Sequence, residues 1–246
     1  MGDKPKMTIV NENSNNWNLK SDMCSVVIPQ DKYYMPKDLD CTQRIIGLTF
    51  QKNANGLKLN VSGKVFATPT DLGLITAENY LQIPEKIYNL TGIEIDEKYA
   101  VNEAELCRFD VAEDNIVEEH PQYYISELNE VLKRSTDKFS VYKHKNTTYD
   151  NGLSVKPKSR EKITFDIYVK GPEIRRYKDY CNQFDFDFLQ NTNKIIRCEY
   201  QIANQARMRK EFNIPQGIKP TISGVFACRR NVVSDMLNNL INGGKF

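Results

Sequence analysis

The sequence lacks the features that mark several large classes of protein. No apolar run in its 246 residues approaches the roughly 20 residues that a membrane helix needs, so we expect no membrane partner. Residues 1–18 are polar and rich in asparagine, unlike the charged and apolar pattern of a signal peptide. We therefore expect a cytoplasmic protein with a flexible tail over residues 1–20 and a single domain over residues 21–246.

Cysteine and histidine are too few and too scattered to indicate a zinc site. The six cysteines include no CxxC pair, and the two histidines, His120 and His144, lie far apart in the sequence. A zinc site or a disulfide framework needs clustered ligands or a secreted context. We expect the cysteines to be structural, because a free thiol in a strand behaves as a small hydrophobic group.

What the sequence does contain is a strong separation of charge. Residues 71–130 carry fifteen acidic and three basic side chains, whereas residues 131–246 carry twenty-two basic and eleven acidic ones. The basic half is a plausible footprint for a polyanion, because lysine and arginine release counterions from phosphates. It is equally typical of a solvated surface on which charge happens to segregate. Charge alone therefore leaves nucleic acid binding open.

Hydrophobic periodicity predicts the secondary structure. Strands are expected over residues 26–28, 44–50, 57–61, 106–112, 139–143, 162–170 and 194–202. Helices are expected from Thr76 with an interruption at Pro84, and over residues 121–134, 173–180, 204–212 and 232–241. Asn53–Gly56 and Asn151-Gly152 are predicted as turns. Strand-rich blocks broken by helices indicate an α+β fold, an antiparallel sheet with helices packed on one face. The repeated order hints at two similar hairpin–helix–strand halves.

Two acidic residues lie on strand faces that would otherwise meet solvent. Alternation puts Asp110 with Arg108 on the face opposite Cys107, and it puts Glu199 with Arg197 on one face of another strand. If the two strands are neighbours and both carboxylates share a face, their oxygens form a site suited to magnesium or manganese. The alternative is that each carboxylate pairs with the arginine of its own strand.

Two of the thirteen tyrosines lie where a phenol could meet a substrate. Tyr149 is in a polar hairpin, and Tyr168 is in a strand whose alternation puts Lys170 on the same face. A phenol with a pKa of about 10 is a weak nucleophile unless a cation or a metal stabilises its phenolate. Lys170 could serve that purpose, or it could hold a phosphate.

The order of these segments resembles the replication initiators of plasmids and phages that start rolling-circle replication. The segments are RFDVA at 108–112, TTY at 147–149, FDIYVKGPE at 165–173 and IIRCEYQI at 195–202. They are similar to the family's Arg-x-Asp, its tyrosine hairpin, its Tyr-Asp-Lys-x-x-Glu strand and its Arg-x-Glu, over roughly residues 105–212. The sequence has no His-hydrophobe-His pair, so the resemblance is to the subgroup with carboxylate sites. It also has Val169 where the family usually shows an aspartate.

This resemblance implies origin-specific DNA nicking and strand transfer through a tyrosine. The tyrosine oxygen would attack a phosphodiester, leaving a 5′-phosphotyrosyl link and a free 3′-hydroxyl, with Mg²⁺ or Mn²⁺ as the cofactor. Carried over to this chain, the resemblance makes Asp110 and Glu199 the metal ligands. It makes Tyr149 the nucleophile, with Tyr168 as the alternative.

The resemblance also implies contacts to DNA. Lys170 would touch the phosphate, and Glu173 matches the family's acidic residue after that lysine. Further DNA contacts are expected from five basic residues, Arg175, Arg176, Arg207, Arg209 and Lys210. The main partner would be origin DNA, single-stranded or in a cruciform, with a host helicase and a host polymerase as further partners. Initiators of this kind often act as dimers, so a homodimer is a further expectation.

Two other functions fit part of the pattern. An origin-binding initiator that does not nick DNA would recruit host factors, with Asp110 and Glu199 as ion-pair partners and the tyrosines as packing or base-stacking groups. A phage structural or assembly protein fits the abundance of asparagine and tyrosine, but it leaves the order of the motifs unexplained.

Overall fold

The structure is a computed structural model, and it describes residues 19–39, 45–135, 137–144 and 152–246. Its strands are β1 (Lys20–Ile28), β2 (Tyr33–Tyr34), β3 (Leu48–Asn53), β4 (Gly56–Ser62), β5 (Ile75–Thr76), β6 (Glu94–Ile95), β7 (Leu106–Ile116), β8 (Phe139–Lys143), β9 (Gly152–Pro157), β10 (Ile163–Val169) and β11 (Ile195–Ile202). Its α-helices are α1 (Ile83–Thr91), α2 (Glu97–Asn102), α3 (Pro121–Lys133), α4 (Lys170–Arg175), α5 (Lys178–Cys181), α6 (Phe186–Asn191), α7 (Gln205–Glu211), α8 (Ile222–Phe226) and α9 (Val232–Ile241). Short 3-10 helices span Gln30–Lys32, Gly63–Phe66, Tyr80–Gln82 and Thr192–Lys194.

The main sheet is antiparallel and has the strand order β3-β4-β1-β7-β11-β10-β9-β8. The short strand β5 also pairs with β1, outside this linear order. β2 and β6 form a separate two-stranded sheet. The helices pack around the main sheet, so the predicted α+β class is confirmed.

One face of the sheet is apolar and carries the main core. Alternation buries Ile163, Phe165, Ile167 and Val169 of β10 on this face, as the sequence predicts. One cluster of buried side chains joins it to α1, α2, α3, α7, α8 and α9. In the described part of the chain, no helix is both long enough and apolar enough to cross a bilayer.

A smaller apolar cluster lies on the opposite side, over one end of the polar face. It consists of Leu72, Ile174, Tyr180 and Phe184, contributed in part by α4 and α5. Lys64 Nζ lies 5.1 Å from the centre of the Tyr180 ring and 2.9 Å from Glu173 Oε1, so this cluster adjoins the charged groups of the polar face. The polar face is therefore covered at one end.

The two halves of the sheet are alike in strand position but not in connectivity. The order β3-β4-β1-β7 is repeated as β8-β9-β10-β11 on the other side of the central β7–β11 pair. However, the hairpin β3–β4 follows β1 in the chain, whereas β8–β9 precedes β10. Val111 of β7 pairs with Tyr200 of β11. Counted along the chain, Arg108 and Asp110 precede Val111 by the same numbers of residues as Arg197 and Glu199 precede Tyr200. The predicted similarity of the halves is thus one of strand position.

The strand predicted over residues 44–50 is shorter than expected. β3 begins at Leu48, and Ile45 makes only an isolated bridge to it. Gly47 adopts a φ of 77°, a conformation that side chains with a Cβ rarely take, so the chain turns there. A Cβ at this position would also lie 2.9 Å from Val65.

The helix predicted from Thr76 begins later. Thr76 pairs with Lys20 in the β1–β5 ladder, and its backbone N–H donates to the side chain of Asn79. Residues Tyr80–Gln82 form a separate 3-10 turn before α1. Pro84 lies in the first turn of α1, where its missing N–H costs no helical hydrogen bond. The helical segment has two pieces, but their boundary is at Ile83, and Pro84 does not interrupt α1 as predicted.

Three further boundaries differ. Gly152 belongs to β9 instead of a turn, and Lys170 opens α4 instead of ending a strand. The helix predicted over residues 173–180 is divided between α4 and α5. These differences shift the ends of elements and leave their order unchanged.

Two residues at strand ends also correct the prediction. Leu19 is buried in the core and Lys20 begins β1, so the packed chain starts inside the tail predicted over residues 1–20, whose first eighteen residues lie outside the described ranges.

The β1–β7 register shifts between Ser25 and Val26, and Leu106 takes the core position while Cys107 is half-buried.

The central strand β7 should dominate stability. Phe109 is fully buried, and its ring makes edge contacts with Phe212 and Phe226, each at 5.5 Å between centroids. We expect Phe109→Ala to lower the free energy of unfolding by about 3–5 kcal/mol in urea denaturation. Phe186→Ala is the matched control, because Phe186 is 73% exposed, and it should change stability by about 0.5 kcal/mol or less. Equal losses in the two variants would contradict this assignment of the core.

Candidate functional site on the polar face

The face opposite the core carries the ionisable side chains. Alternation in β11 turns Arg197, Glu199 and Gln201 away from the core, and alternation in β10 does the same for Asp166 and Tyr168. The register pairs Asp166 with Glu199 and Tyr168 with Arg197, so these side chains are direct cross-strand neighbours. The faces predicted from the sequence are those observed.

Tyr168 and Glu199 are joined by a hydrogen bond. Tyr168 Oη donates to Glu199 Oε2 over 2.9 Å. Gln201 Nε2 donates to the other oxygen of Glu199 over 2.9 Å and to Asp166 Oδ2 over 2.8 Å. The carboxylate of Glu199 is therefore held in place by an amide and faces a phenol.

Burial sets the protonation of this pair. Burial, together with the carboxylates of Asp22 and Asp110, raises the pKa of Glu199 to about 8. Burial also raises the pKa of Asp110 to about 6, against the lowering effect of Arg108. Burial and the nearby Glu199 raise the pKa of the Tyr168 phenol well above its usual value. The phenol thus keeps its proton at neutral pH, and the adjacent carboxyl group titrates in the range where enzymes move protons.

A cleft of about 210 Å³ opens beside this hydrogen bond. Its lining includes Tyr168, Glu199, Glu173 and Arg176, together with His144 and Asp166. A cleft lined by several titratable groups is typical of a functional site.

His144, Ser154 and Asp166 form a group that the sequence did not single out. His144 Nε2 lies 2.6 Å from Ser154 Oγ, which in turn donates to Asp166 Oδ1. His144 directly follows β8, where its backbone N–H donates to the carbonyl of Gly152 over 2.9 Å. The only sequence signal for this group is the alternation that puts Asp166 and Tyr168 on one face, because the rest depends on the register of β8 and β9.

Asp110 and Glu199 face the same side of neighbouring strands, as predicted. However, Asp110 accepts hydrogen bonds from Arg108 at 2.8 Å and 2.6 Å, one at each oxygen, and Glu199 is engaged by Tyr168 and Gln201. Within the described ranges, no three potential ligands converge as a metal ion requires. The described residues therefore do not fit a preformed site for a divalent ion.

The alternative reading, in which each carboxylate pairs with the arginine of its own strand, is correct for Asp110 alone. Arg197 is 1% exposed and directs its guanidinium to Asp114, with two hydrogen bonds of 2.6 Å, and to Asp22. Asp22 lies in β1 at the point where the β1–β7 register shifts, between Ser21 and Met23. Although burial works against it, Arg197 holds the pKa of Asp114 below its usual value. Glu199 is thereby left to the phenol.

Lys170 lies beside Tyr168, as predicted, but its charge is already paired. Its side chain is 1% exposed, and its Nζ lies 5.5 Å from the centre of the Tyr168 ring and 2.9 Å from Glu173 Oε2. Lys64 approaches the other oxygen of Glu173, also at 2.9 Å. These contacts make Glu173 the link between two lysines, and a contact of Lys170 with phosphate stays a prediction.

Of the two predicted nucleophiles, the structure describes one. Tyr168 is half-buried on the polar face and reaches the cleft. Tyr149 lies outside the described residues.

Two of the predicted DNA contacts lie near this cleft. Arg176 lines it, and Arg175 is exposed one residue earlier. Arg175 donates to the side chain of Asn193 over 2.6 Å and to the carbonyl of Leu189 over 3.0 Å, which orients it along α6.

The other three predicted contacts are on α7, which packs against the apolar face. Arg207 is buried, donates to Tyr200 Oη over 3.0 Å and pairs with Glu211 at 2.7 Å. Arg207 is therefore engaged by partners within the fold, and its contact with DNA stays a prediction. Arg209 and Lys210 are more exposed, but they belong to the same helix, on the side of the sheet away from Tyr168.

A comparison of the chain with models of known protein families finds no match, and a comparison with curated proteins finds none either. The residues of the polar face therefore carry the functional inference.

The buried ion pair of Arg197 generates a stability prediction. Asp114→Asn leaves the guanidinium buried with one partner fewer, so we expect a loss of about 3–5 kcal/mol in urea unfolding at neutral pH. Because the folded pKa of Asp114 is lowered, its contribution is present above the unfolded pKa of about 4 and is lost as the pH falls through the folded value. The difference between wild type and variant should shrink accordingly in acid.

Asp235→Asn is the control for this experiment. Asp235 pairs with Arg230 at 2.9 Å, but the two side chains are 52% and 41% exposed. Exposed pairs contribute about 0.2–1 kcal/mol, so this variant should lose far less. A loss as small in Asp114→Asn would mean that Arg197 does not depend on that carboxylate.

Proposed function

We propose that this chain cuts and transfers a single DNA strand through the phenol of Tyr168, in order to initiate rolling-circle replication of a plasmid or phage genome. The observation that carries the proposal is the 2.9 Å hydrogen bond from Tyr168 Oη to Glu199 beside an open cleft. A phenol becomes a useful nucleophile when a neighbouring group removes its proton. The substrate class, origin DNA, comes from the order of the motifs that resembles the replication initiators.

In this chemistry the Tyr168 oxygen attacks a phosphorus atom of the strand. The phenolic proton passes to Glu199, which Gln201 holds at 2.9 Å through its other oxygen. The bond from phosphorus to the 3′-oxygen breaks, and the products are a 5′-phosphotyrosyl link and a 3′-hydroxyl. The ammonium of Lys170, 5.5 Å from the centre of the phenol ring, favours the negative charge that develops on the ring.

The remaining parts of the proposal follow from the resemblance. Single-stranded or cruciform origin DNA is the main partner, and a host helicase, a host polymerase and a second copy of the chain are further ones. A requirement for Mg²⁺ or Mn²⁺ stays a prediction, and both ions belong in the assays below.

A second candidate function is an origin-binding initiator that does not cut DNA. The pairing of Arg108 with Asp110 favours it, because that carboxylate then serves as an ion-pair partner. It gives no role to the hydrogen bond from Tyr168 to Glu199 beside the cleft. We therefore rank it below the cutting function.

Covalent capture of DNA tests the nucleophile. The chain is incubated with a 3′-labelled pool of random single-stranded oligonucleotides and Mn²⁺ or Mg²⁺, and labelled protein is sought on a denaturing gel. We expect an adduct with the wild type and none with Tyr168→Phe, because the attacking oxygen is gone. Tyr142→Phe should keep the adduct, since Tyr142 is 54% exposed on β8 and outside the cleft lining.

Three results would contradict this proposal in different ways. An adduct that survives Tyr168→Phe but is lost in Tyr149→Phe would move the nucleophile to Tyr149. Salt-dependent binding without any adduct would favour the initiator that does not cut. The absence of salt-dependent binding would favour a structural or assembly protein.

The role of Glu199 predicts a pH dependence. Glu199 accepts the phenolic proton only when it is ionised, and burial with Asp22 and Asp110 raises its pKa to about 8. Ionisation of Glu199 should therefore raise the initial rate of adduct formation as the pH increases toward about 8. Glu199→Gln should lower the rate by about 10²–10⁴-fold, whereas Glu161→Gln, at an exposed position outside the cleft lining, should not change it. A rate that is flat across this range would remove Glu199 from the proton transfer.

A further inference from the structure

The cleft holds a second polar chain that the attack of Tyr168 does not use. His144 Nε2 lies 2.6 Å from Ser154 Oγ and 3.8 Å from Asp166 Oδ1, and Ser154 donates to the same carboxylate oxygen. The His144 side chain is 34% exposed, while that of Asp166 is 14% exposed. The partly exposed imidazole of His144 is thus held by contacts with a serine hydroxyl and a less exposed carboxylate.

The backbone fixes the direction of this imidazole. Gly152 pairs with Tyr168 in the β9–β10 ladder, and its carbonyl accepts the backbone N–H of His144. A Cβ at Gly152 would lie 2.9 Å from His144 Nδ1 and 2.7 Å from Cβ of Tyr168. Glycine therefore makes room for the imidazole next to the tyrosine. The centres of the His144 and Tyr168 rings are 6.4 Å apart.

The cleavage reaction requires a proton at a second place. When the bond from phosphorus to the 3′-oxygen breaks, that oxygen leaves as an alkoxide unless a group protonates it. Glu199 has taken the phenolic proton and cannot serve both ends of the reaction at once. His144 lines the same cleft, and histidine is the side chain best suited to give a proton near neutral pH.

We propose that His144 is the general acid that protonates the leaving 3′-oxygen, with Ser154 and Asp166 as its positioning residues. This inference rests on the proposed function of Tyr168. The Tyr168–phosphorus bond forms and the phosphorus–3′-oxygen bond breaks, while one proton moves from Tyr168 to Glu199 and another from His144 to the 3′-oxygen. The reverse reaction, which rejoins the strand, exchanges the two roles.

The groups around the imidazole are consistent with this role. Asp166 Oδ1 lies 3.8 Å from Nε2, and the hydroxyl of Ser154 bridges the imidazole and this carboxylate. Glu173, Glu199 and Arg176 also line the cleft. With Nε2 bonded to Ser154, Nδ1 on the side of Gly152 is the atom from which the proton is given.

A substrate with a sulfur leaving group tests the proposal directly. The oligonucleotide sequence recovered in adducts is synthesised with either oxygen or sulfur at the bridging 3′-position of the cleaved bond. A thiolate leaves without protonation, so the sulfur substrate has no need for a general acid. We expect His144→Gln to slow single-turnover adduct formation by about 10²-fold or more with the oxygen substrate, and to leave the rate with the sulfur substrate near that of wild type.

Two variants serve as controls in the same assay. Glu199→Gln should be slow with both substrates, because removal of the phenolic proton is needed in either case. Ser154→Ala, which unties the imidazole from Asp166, should slow the oxygen substrate less than His144→Gln does and should leave the sulfur substrate unaffected. Urea unfolding shows whether each variant keeps the stability of wild type.

Other outcomes would overturn the inference. An unchanged rate of His144→Gln with the oxygen substrate removes His144 from the reaction. Equal slowing with both substrates assigns the imidazole to binding or to structure. A wild-type chain that forms no adduct with the random pool overturns the proposed function, and the general acid with it.

Discussion

The guanidinium of Arg197 is the interaction on which the polar face depends. It is buried in β11 and bonded to Asp114 of β7 and Asp22 of β1, so one side chain ties three adjacent strands together. A buried guanidinium is stable only when its donors are matched by acceptors. Because two aspartates supply those acceptors, the guanidinium of Arg197 is directed away from Glu199. The pKa of Glu199 stays raised, and its carboxyl group accepts the hydrogen bond of Tyr168.

Each half of the sheet has an arginine followed two residues later by an acidic residue, but the two arginines pair differently. Arg108 folds back on Asp110, two residues along its own strand, and that half has a serine, Ser25, opposite the arginine. In the other half Arg197 finds its acceptors on neighbouring strands, and a tyrosine stands opposite it. Local sequence sets the position of each charged group, but the neighbouring strands decide which groups pair. The similarity of strand position therefore does not imply two equivalent sites.

Alternation made much of this face predictable from sequence. The pattern of β10 predicts that Tyr168 and Asp166 point away from the core, and that of β11 predicts the same for Glu199. What alternation cannot supply is the partner across a strand boundary. The His144 group depends on the register of three strands, and the buried state of Arg207 depends on the docking of α7 against Tyr200. A basic helix looks solvated in the sequence until the core that it covers is known.

The two acidic residues illustrate the same limit in electrostatic terms. Carboxylates that converge in a buried place need either a cation or a proton, since two negative charges at close range raise each other's pKa. Here Asp110 has Arg108 as its cation, while Glu199 faces a phenol and an amide and has a pKa of about 8. A carboxyl group in that state exchanges protons near neutral pH. From the sequence, Asp110 and Glu199 together suggest a metal site. In the arrangement observed, the carboxyl group of Glu199 is instead suited to proton transfer, and the phenol of Tyr168 is the neighbour able to supply the proton.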